Sequence, residues 1–94
     1  MSYLLNILPI ARDEYKELER KEADQLRKKL NKILENPHIK ANKLRGMPNC
    51  YKIKLRAAGM RGVYQVNDQT VTVLLVAVGK REDSEAYDKA KQRI

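Results

Sequence analysis

The residues that can do chemistry in this chain are cations, and they are gathered in one stretch. Lys40, Lys43, Arg45, Lys52, Lys54, Arg56 and Arg61 lie between residues 36 and 67, and no acidic residue interrupts them. The flanks are close to neutral. Residues 1–35 carry eight basic and seven acidic side chains, and residues 68–94 carry five of each. Nearly all of the formal net charge of +8 therefore sits in the middle third. A cation field without internal counter-ions attracts phosphate backbones, an acidic protein segment, or both.

The rest of the inventory narrows the chemistry. His38 is the single histidine, so a two-histidine acid/base pair is impossible. Cys50 is the single cysteine, which excludes an internal disulfide, suits a reducing cytosol and leaves no Cys/His set for structural zinc. A metal nuclease needs clustered carboxylates, and the basic stretch has none. Gly59 and Gly62 fit no phosphate-loop or dinucleotide fingerprint. No metal and no cofactor is expected. What remains is Lys52, Lys54, Arg61 and Arg81, with Tyr87. Such a set can bind phosphate. It can also cleave RNA, because the 2′-hydroxyl is a built-in nucleophile. The protein then has to remove that proton, neutralise the dianionic phosphorane and protonate the leaving 5′-oxygen. Arginine's donor fork fits phosphate oxygens. A lysine crowded by like charges has its ammonium form destabilised and can serve as a base.

The elements that must position these groups follow from periodicity. Ninety-four residues, 43% of them apolar and none of them Phe or Trp, make one domain, 1–94, whose core is Leu, Ile, Val and Tyr. The longest apolar run, Val73 to Val78, is too short to span a membrane, and the opening residues do not read as a signal peptide. Ser2 to Leu8 reads as a strand, and Pro9 suits the first position of a helix. Ile10, Ala11, Tyr15 and Leu18 recur at helical spacing, followed by Ala23, Leu26, Leu30, Ile33 and Leu34. Asn36-Pro37 stops the second helix. Residues 37–49 read as a loop. Alternation then puts Tyr51, Ile53 and Leu55 on one face and Lys52, Lys54 and Arg56 on the other. A turn at Ala57-Ala58-Gly59 leads to a strand from about Met60 to Asn67. Asp68-Gln69 leads to a third strand, Thr70 to Val78, apolar on both faces as a central strand should be. A short C-terminal helix follows, with Asp83 or Ser84 as N-cap. The fold class is α+β: an N-terminal strand, a two-helix hairpin packed on an antiparallel sheet with a three-strand meander, and a C-terminal helix. The helix pair covers one sheet face and leaves the other basic, roofed by the C-terminal segment.

Two segments, KLRGMPNCYKIKLRAAGMRGVYQV (43–66) and VGKREDSEAY (78–87), carry a resemblance. In order and separation they are similar to RelE-type toxins of bacterial toxin–antitoxin systems. The resemblance implies a compact α+β domain and a ribosome-dependent endoribonuclease, independent of metal, that cuts messenger RNA in the ribosomal A site. By position it implies Lys54 as general base toward the 2′-hydroxyl, and Lys52 and Arg61 as holders of the scissile phosphate. It makes Arg81 the transition-state stabiliser and candidate general acid, and Tyr87 the residue that stacks on or orients the nucleotide. Arg45, with Lys43 and Arg56, would contact the RNA or ribosome backbone. The implied partners are the message, the ribosome with its rRNA and a RelB-like antitoxin, with operator DNA bound only through the antitoxin complex and no membrane. The implied place is the cytoplasm of a bacterium or archaeon. Gly62 departs from the family pattern, in which a bulky aliphatic is more usual, and this puts packing beside Arg61 in question. Two other readings stand beside this one: a non-cleaving, gyrase-directed toxin of the same fold, and a plain RNA-binding module.

Overall fold

Pro9 ends one element and begins the next in the computed structural model, which describes residues 2–55, 59–80 and 85–94. Strand β1 is Leu4–Ile7, and helix α1 is Pro9–Lys16 with the proline in its first turn. Helix α2, Arg20–Glu35, opens where the Glu22 carboxylate reaches back to accept the Glu19 amide at 3.1 Å. Ala11 of α1 and Leu26, Leu30 and Ile33 of α2 are buried, while Ala23 and Leu34 are half-buried. Ile10 departs from the expected stripe and is 51% exposed. Neighbours on a helix lie ~100° apart, so a stripe centred on Ala11, Tyr15 and Leu18 turns residue 10 to solvent.

Strands β2 (Cys50–Leu55), β3 (Met60–Asn67) and β4 (Thr72–Lys80) form the antiparallel meander. β1 adds to the free side of β4 in parallel, giving a mixed sheet of order β1-β4-β3-β2 among the described residues. This placement, which the strand's sequence leaves open, makes β4 central and accounts for its apolar character. The loop before β2 contains a single 3-10 turn, Lys40–Asn42, and Lys43 bridges to Tyr51 beside the β2 edge. Gly59, at φ +63°, supplies the left-handed residue before β3, and the rest of the expected Ala57-Ala58 turn lies outside the described residues. At the other end, the Asn67 side chain accepts the Gln69 and Thr70 amides, which closes the β3–β4 turn.

The two faces of the sheet have separate cores. Tyr51, Ile53, Leu55, Tyr64, Val66, Val73, Leu75 and Val78 pack against α1 and α2. Tyr64 is fully buried, stacks on Tyr51 with ring centres 5.3 Å apart, and donates its hydroxyl to the Pro37 carbonyl at 2.8 Å. Burial, and then Tyr51, pushes the Tyr64 phenol well up. With no Phe or Trp in the chain, this pair supplies the large aromatic volume. On the opposite face Cys50, Val63, Val76 and Ala77 pack with Met47 and with Ala86 and Ala90 of helix α3, Glu85–Arg93. A bulge makes this possible. Val63 pairs with Ala77 and Tyr64 with Leu75, so Val76 is an extra residue and both Val76 and Ala77 join the α3 core. The expected caps of α3, Asp83 and Ser84, lie outside the described residues.

Gly62 is buried on the helix-pair face, directly across from Ile53. A Cβ built there would meet the Ile53 Cβ and Cδ1 at 3.4 Å and the Ala77 carbonyl at 3.6 Å. Ile53 thus already covers the volume that a larger residue would take, and Arg61 beside it keeps its strand position. Since glycine weakens a strand through backbone entropy, Gly62→Ala is expected to raise stability by about 0.5 kcal/mol. Urea unfolding checks this, and a lower midpoint at unchanged slope would show that Ile53 cannot yield.

Candidate active site

Strand pairing assembles the cations. Lys54 stands directly across from Arg61, and Arg61 across from Gly79, so one row crosses three strands. Lys52 pairs with Val63 on the same face, one pleat repeat along from Lys54. Cross-strand partners stand about 5 Å apart at Cβ and diagonal ones about 7–8 Å, within reach of a lysine or arginine side chain. Lys52, Lys54 and Arg61 therefore converge on one patch, and all three are partly exposed. Among the described residues neither Lys52 nor Arg61 has an ion-pair partner.

Helix α3 lies on this same face. Its approach is set by Gly79, where a Cβ would sit 3.0 Å from the Ala86 backbone nitrogen and 3.2 Å from the Glu85 Cγ. Any side chain at residue 79 would lift the first turn of α3 from the sheet. Tyr87, the next residue, is half-buried against the cluster that contains Val63 and Cys50, so it packs on the sheet face that carries the cations. Arg81 and Arg56 lie outside the described residues. Lys43 and Arg45 are exposed on the loop that lines a groove of about 580 Å³ with Leu44, Gly46, Met47 and Pro48. Buried Met47 ties that loop to the α3 face, toward the Cys50 end of β2 rather than the Lys54 end.

His38 is elsewhere. Its Nδ1 lies 3.1 Å from the Tyr51 hydroxyl and its Nε2 2.8 Å from Asp68 Oδ1, which also accepts the Tyr3 hydroxyl at 2.7 Å. Hydrogen bonds from Tyr3 and then His38 hold the Asp68 carboxyl below its ordinary range. Asp68 follows the Asn67 end of β3, whereas Lys54, Arg61 and Gly79 mark the other end. Histidine here fastens a loop and lies apart from the cation row. Among the described residues no three His, Cys, Asp or Glu side chains converge as a metal-holding group.

One carboxylate escapes a reading of the sequence. Glu14 of α1 accepts Lys89 Nζ at 2.6 Å, both terminal nitrogens of Arg93 at 2.8 and 3.0 Å, and the Val78 amide at 3.2 Å. These partners are more than sixty positions away in the chain, and no local pattern announces them. Gly79 escapes it too: the apolar run ends the expected strand at Val78, whereas β4 continues to Lys80 and so places a glycine inside a strand, the mark of a close backbone approach.

The chain matches the family model described as the ParE toxin of type II toxin–antitoxin systems over residues 5–85. It belongs to that family of toxins. Within it the chain is 53% identical to the mRNA interferase toxin RelE of Escherichia coli, over all of this chain and 99% of the relative. Its fold superposes on a double arginine-to-alanine mutant of E. coli RelE in the free state with a TM-score of 0.93, at 52% identity and 100% and 99% coverage of the two chains. The same mutant in complex with an antitoxin RelB peptide gives a TM-score of 0.83, again at 52% identity and with the same coverage. Among the described residues no helix is long and apolar enough to cross a membrane.

Burial raises the Glu14 carboxyl, but hydrogen bonds from Arg93, Lys89 and the Val78 amide, with the Arg93 charge, outweigh it and bring the pKa to about 2. A carboxylate depressed in the folded state stabilises that state above its unfolded pKa and stops doing so as pH falls through the folded one. The contribution is expected to be on the order of 2–3 kcal/mol at neutral pH, to fade below about pH 4.5 and to vanish near pH 2. Urea unfolding of wild type and Glu14→Gln across that range checks it: the gap between them should close as the solution is acidified.

Proposed function

We propose that this protein is a ribosome-dependent endoribonuclease toxin that cuts messenger RNA in the ribosomal A site and so stops translation. The observation that supports it best is the Lys54–Arg61–Gly79 row with Lys52 on one sheet face, the face against which Tyr87 also packs. Lys54 takes the proton of the 2′-hydroxyl, which then attacks the adjacent phosphorus. Lys52 and Arg61 hold and neutralise the non-bridging oxygens as charge builds up on the phosphorane. Arg81 stabilises the same charge and delivers a proton to the leaving 5′-oxygen. Tyr87 stacks on or orients the nucleotide. Each proton and charge is handled by a side chain of this protein, and the ribosome supplies the alignment of the message. Lys43, Arg45 and Arg56 contact the RNA or rRNA backbone, the first two from the loop at the Cys50 end of β2.

The named relatives fit this reading: one is called an mRNA interferase, and its structure is known with a RelB antitoxin. A RelB-like antitoxin is thus the partner here, drawn to a face with a surplus of positive charge. Operator DNA is bound only through that complex, and the toxin acts in the cytoplasm of its bacterial or archaeal host. A non-cleaving toxin of the same fold is the second reading, favoured by the ParE description of the family model. It predicts arrest with intact messages, as does a plain RNA-binding module.

Message cleavage on programmed ribosomes tests the site. Lys54→Ala and Arg81→Ala are each expected to slow single-turnover cutting by at least ~100-fold, in line with losing a general base or an electrostatic stabiliser. Wild-type-like cutting by both would refute the assignment, and intact messages with the unaltered toxin would favour the non-cleaving readings. With Lys54 as base the rate should rise with pH and level off once that lysine is neutral, and a flat profile from about pH 6 to about pH 9 would contradict it.

A further inference from the structure

Outside the cation row, the most completely partnered side chain among the described residues is the Glu14 carboxylate, and it joins three elements. It stands on α1. It accepts the Val78 amide of β4 and holds Lys89 and Arg93 of α3. Arg93 meets it with two parallel hydrogen bonds and also donates to the Val76 carbonyl at 2.9 Å, so the same guanidinium is tied to β4. Glu14 and Arg93 side chains are each only 14% exposed, which separates this pair from an ordinary surface ion pair. Lys89 continues the chain of contacts to Glu85 at 2.9 Å, and Glu85 accepts the Lys80 amide at 3.1 Å.

The geometry points to Glu14 as a positioning residue for RNA cleavage, one that, by gripping α3, fixes the seat of Tyr87 on the sheet face that carries Lys52, Lys54 and Arg61. Lys89 and Arg93 lie one helical turn apart, so two anchors on successive turns set both the rotation of α3 about its axis and its position along the sheet. Tyr87 lies two residues before the first anchor. The buried side chains that α3 itself supplies are two alanines, Ala86 and Ala90, which pack with Val63, Val76, Ala77 and Cys50, with Ala86 over Gly79. Small side chains allow close approach and resist sliding poorly. The register of the helix is therefore assigned to the ionic grip. Glu14 does not touch the RNA in this scheme. It acts through Tyr87, and so the inference rests on the role proposed above for that tyrosine.

A double-mutant cycle tests it, with single-turnover cleavage at saturating ribosomes as the main readout. Glu14→Gln keeps the shape of the side chain and removes the charge. It is expected to lower the rate constant about tenfold with little change in the ribosome concentration at half-maximal rate, as for a group that matters in the transition state. In a Tyr87→Ala background the same change should cost less than about twofold, the non-additivity expected of residues that act as a unit. Equal losses in both backgrounds would overturn the inference while leaving the site assignment in place. Full activity of Tyr87→Ala would instead bring down the proposed role of the tyrosine, and with it this inference. Amide hydrogen exchange guards against a general loss of fold. Exchange should quicken across α3 in Glu14→Gln while β3 and β4 stay protected, and unchanged protection of α3 would contradict the grip. Arg93→Lys, which keeps a charged donor, should retain more activity than Arg93→Met, and equal activity in the two would count against an ionic role.

Discussion

Antiparallel pairing of β2 with β3 in a single register keeps the cations of this protein out of its core. The pleat sends Tyr51, Ile53 and Leu55 to one face and Cys50, Lys52 and Lys54 to the other, and the partner strand follows with Gly62 and Tyr64 against Arg61 and Val63. A slip by one residue would bury Lys52 and Lys54 beneath α1 and α2 and turn Ile53 to water. The cost of burying unpaired ammonium groups forbids it. The stacked pair Tyr51 and Tyr64, locked by the bond from Tyr64 to the Pro37 carbonyl, pins the register from the apolar side. The forces that build the core thus also gather the cations.

Gathering like charges carries a penalty, and its size explains why the patch can exist. Two unit charges about 6 Å apart repel by under about 1 kcal/mol in water and by roughly 3 kcal/mol at an effective dielectric constant near 20. Lys52 and Arg61, partly exposed and without an ion-pair partner among the described residues, lie nearer the smaller figure. When a substrate covers the face and excludes water, the repulsion grows unless the substrate is itself anionic. A phosphate relieves it, and a doubly charged phosphorane relieves it further. On the proposed function, a preference for the transition state over the ground state would follow from this clustering of cations.

Much of this was legible in the sequence, for identifiable reasons. Strict alternation in CYKIKL and the acid-free run around it locate β2 and the patch, and the bounds of β3 follow from Gly59 and from the polar turn after Asn67. The helical stripes of α1 and α2 were readable except at Ile10, where two adjacent apolar residues compete for one face. What the sequence does not reveal is long-range pairing between unlike elements. The parallel seat of β1 beside β4 has no local signal, since its alternation would suit either edge of the sheet. The bulge at Val76 is hidden because Val76 and Ala77 are both apolar. Nothing local in the sequence gives His38 a partner, and only the folded chain joins it to Asp68 and Tyr51.

The two cores of the sheet divide the work unevenly. The face beneath α1 and α2 is filled by large aliphatic and aromatic side chains, whose burial supplies most of the apolar stabilisation at about 25 cal/mol per Å². The face beneath α3 carries Val63, Val76, Ala77 and Cys50, and α3 brings to it only the small buried side chains Ala86 and Ala90, the first over Gly79. The ionic tie from Glu14 adds to that contact, and unlike an apolar tie it has direction. A helix held by directed bonds can carry a residue such as Tyr87 to a defined place without the bulky packing that would obstruct a nucleotide. The small buried side chains of α3 and the elaborate partnering of one distant carboxylate are two sides of one structural solution.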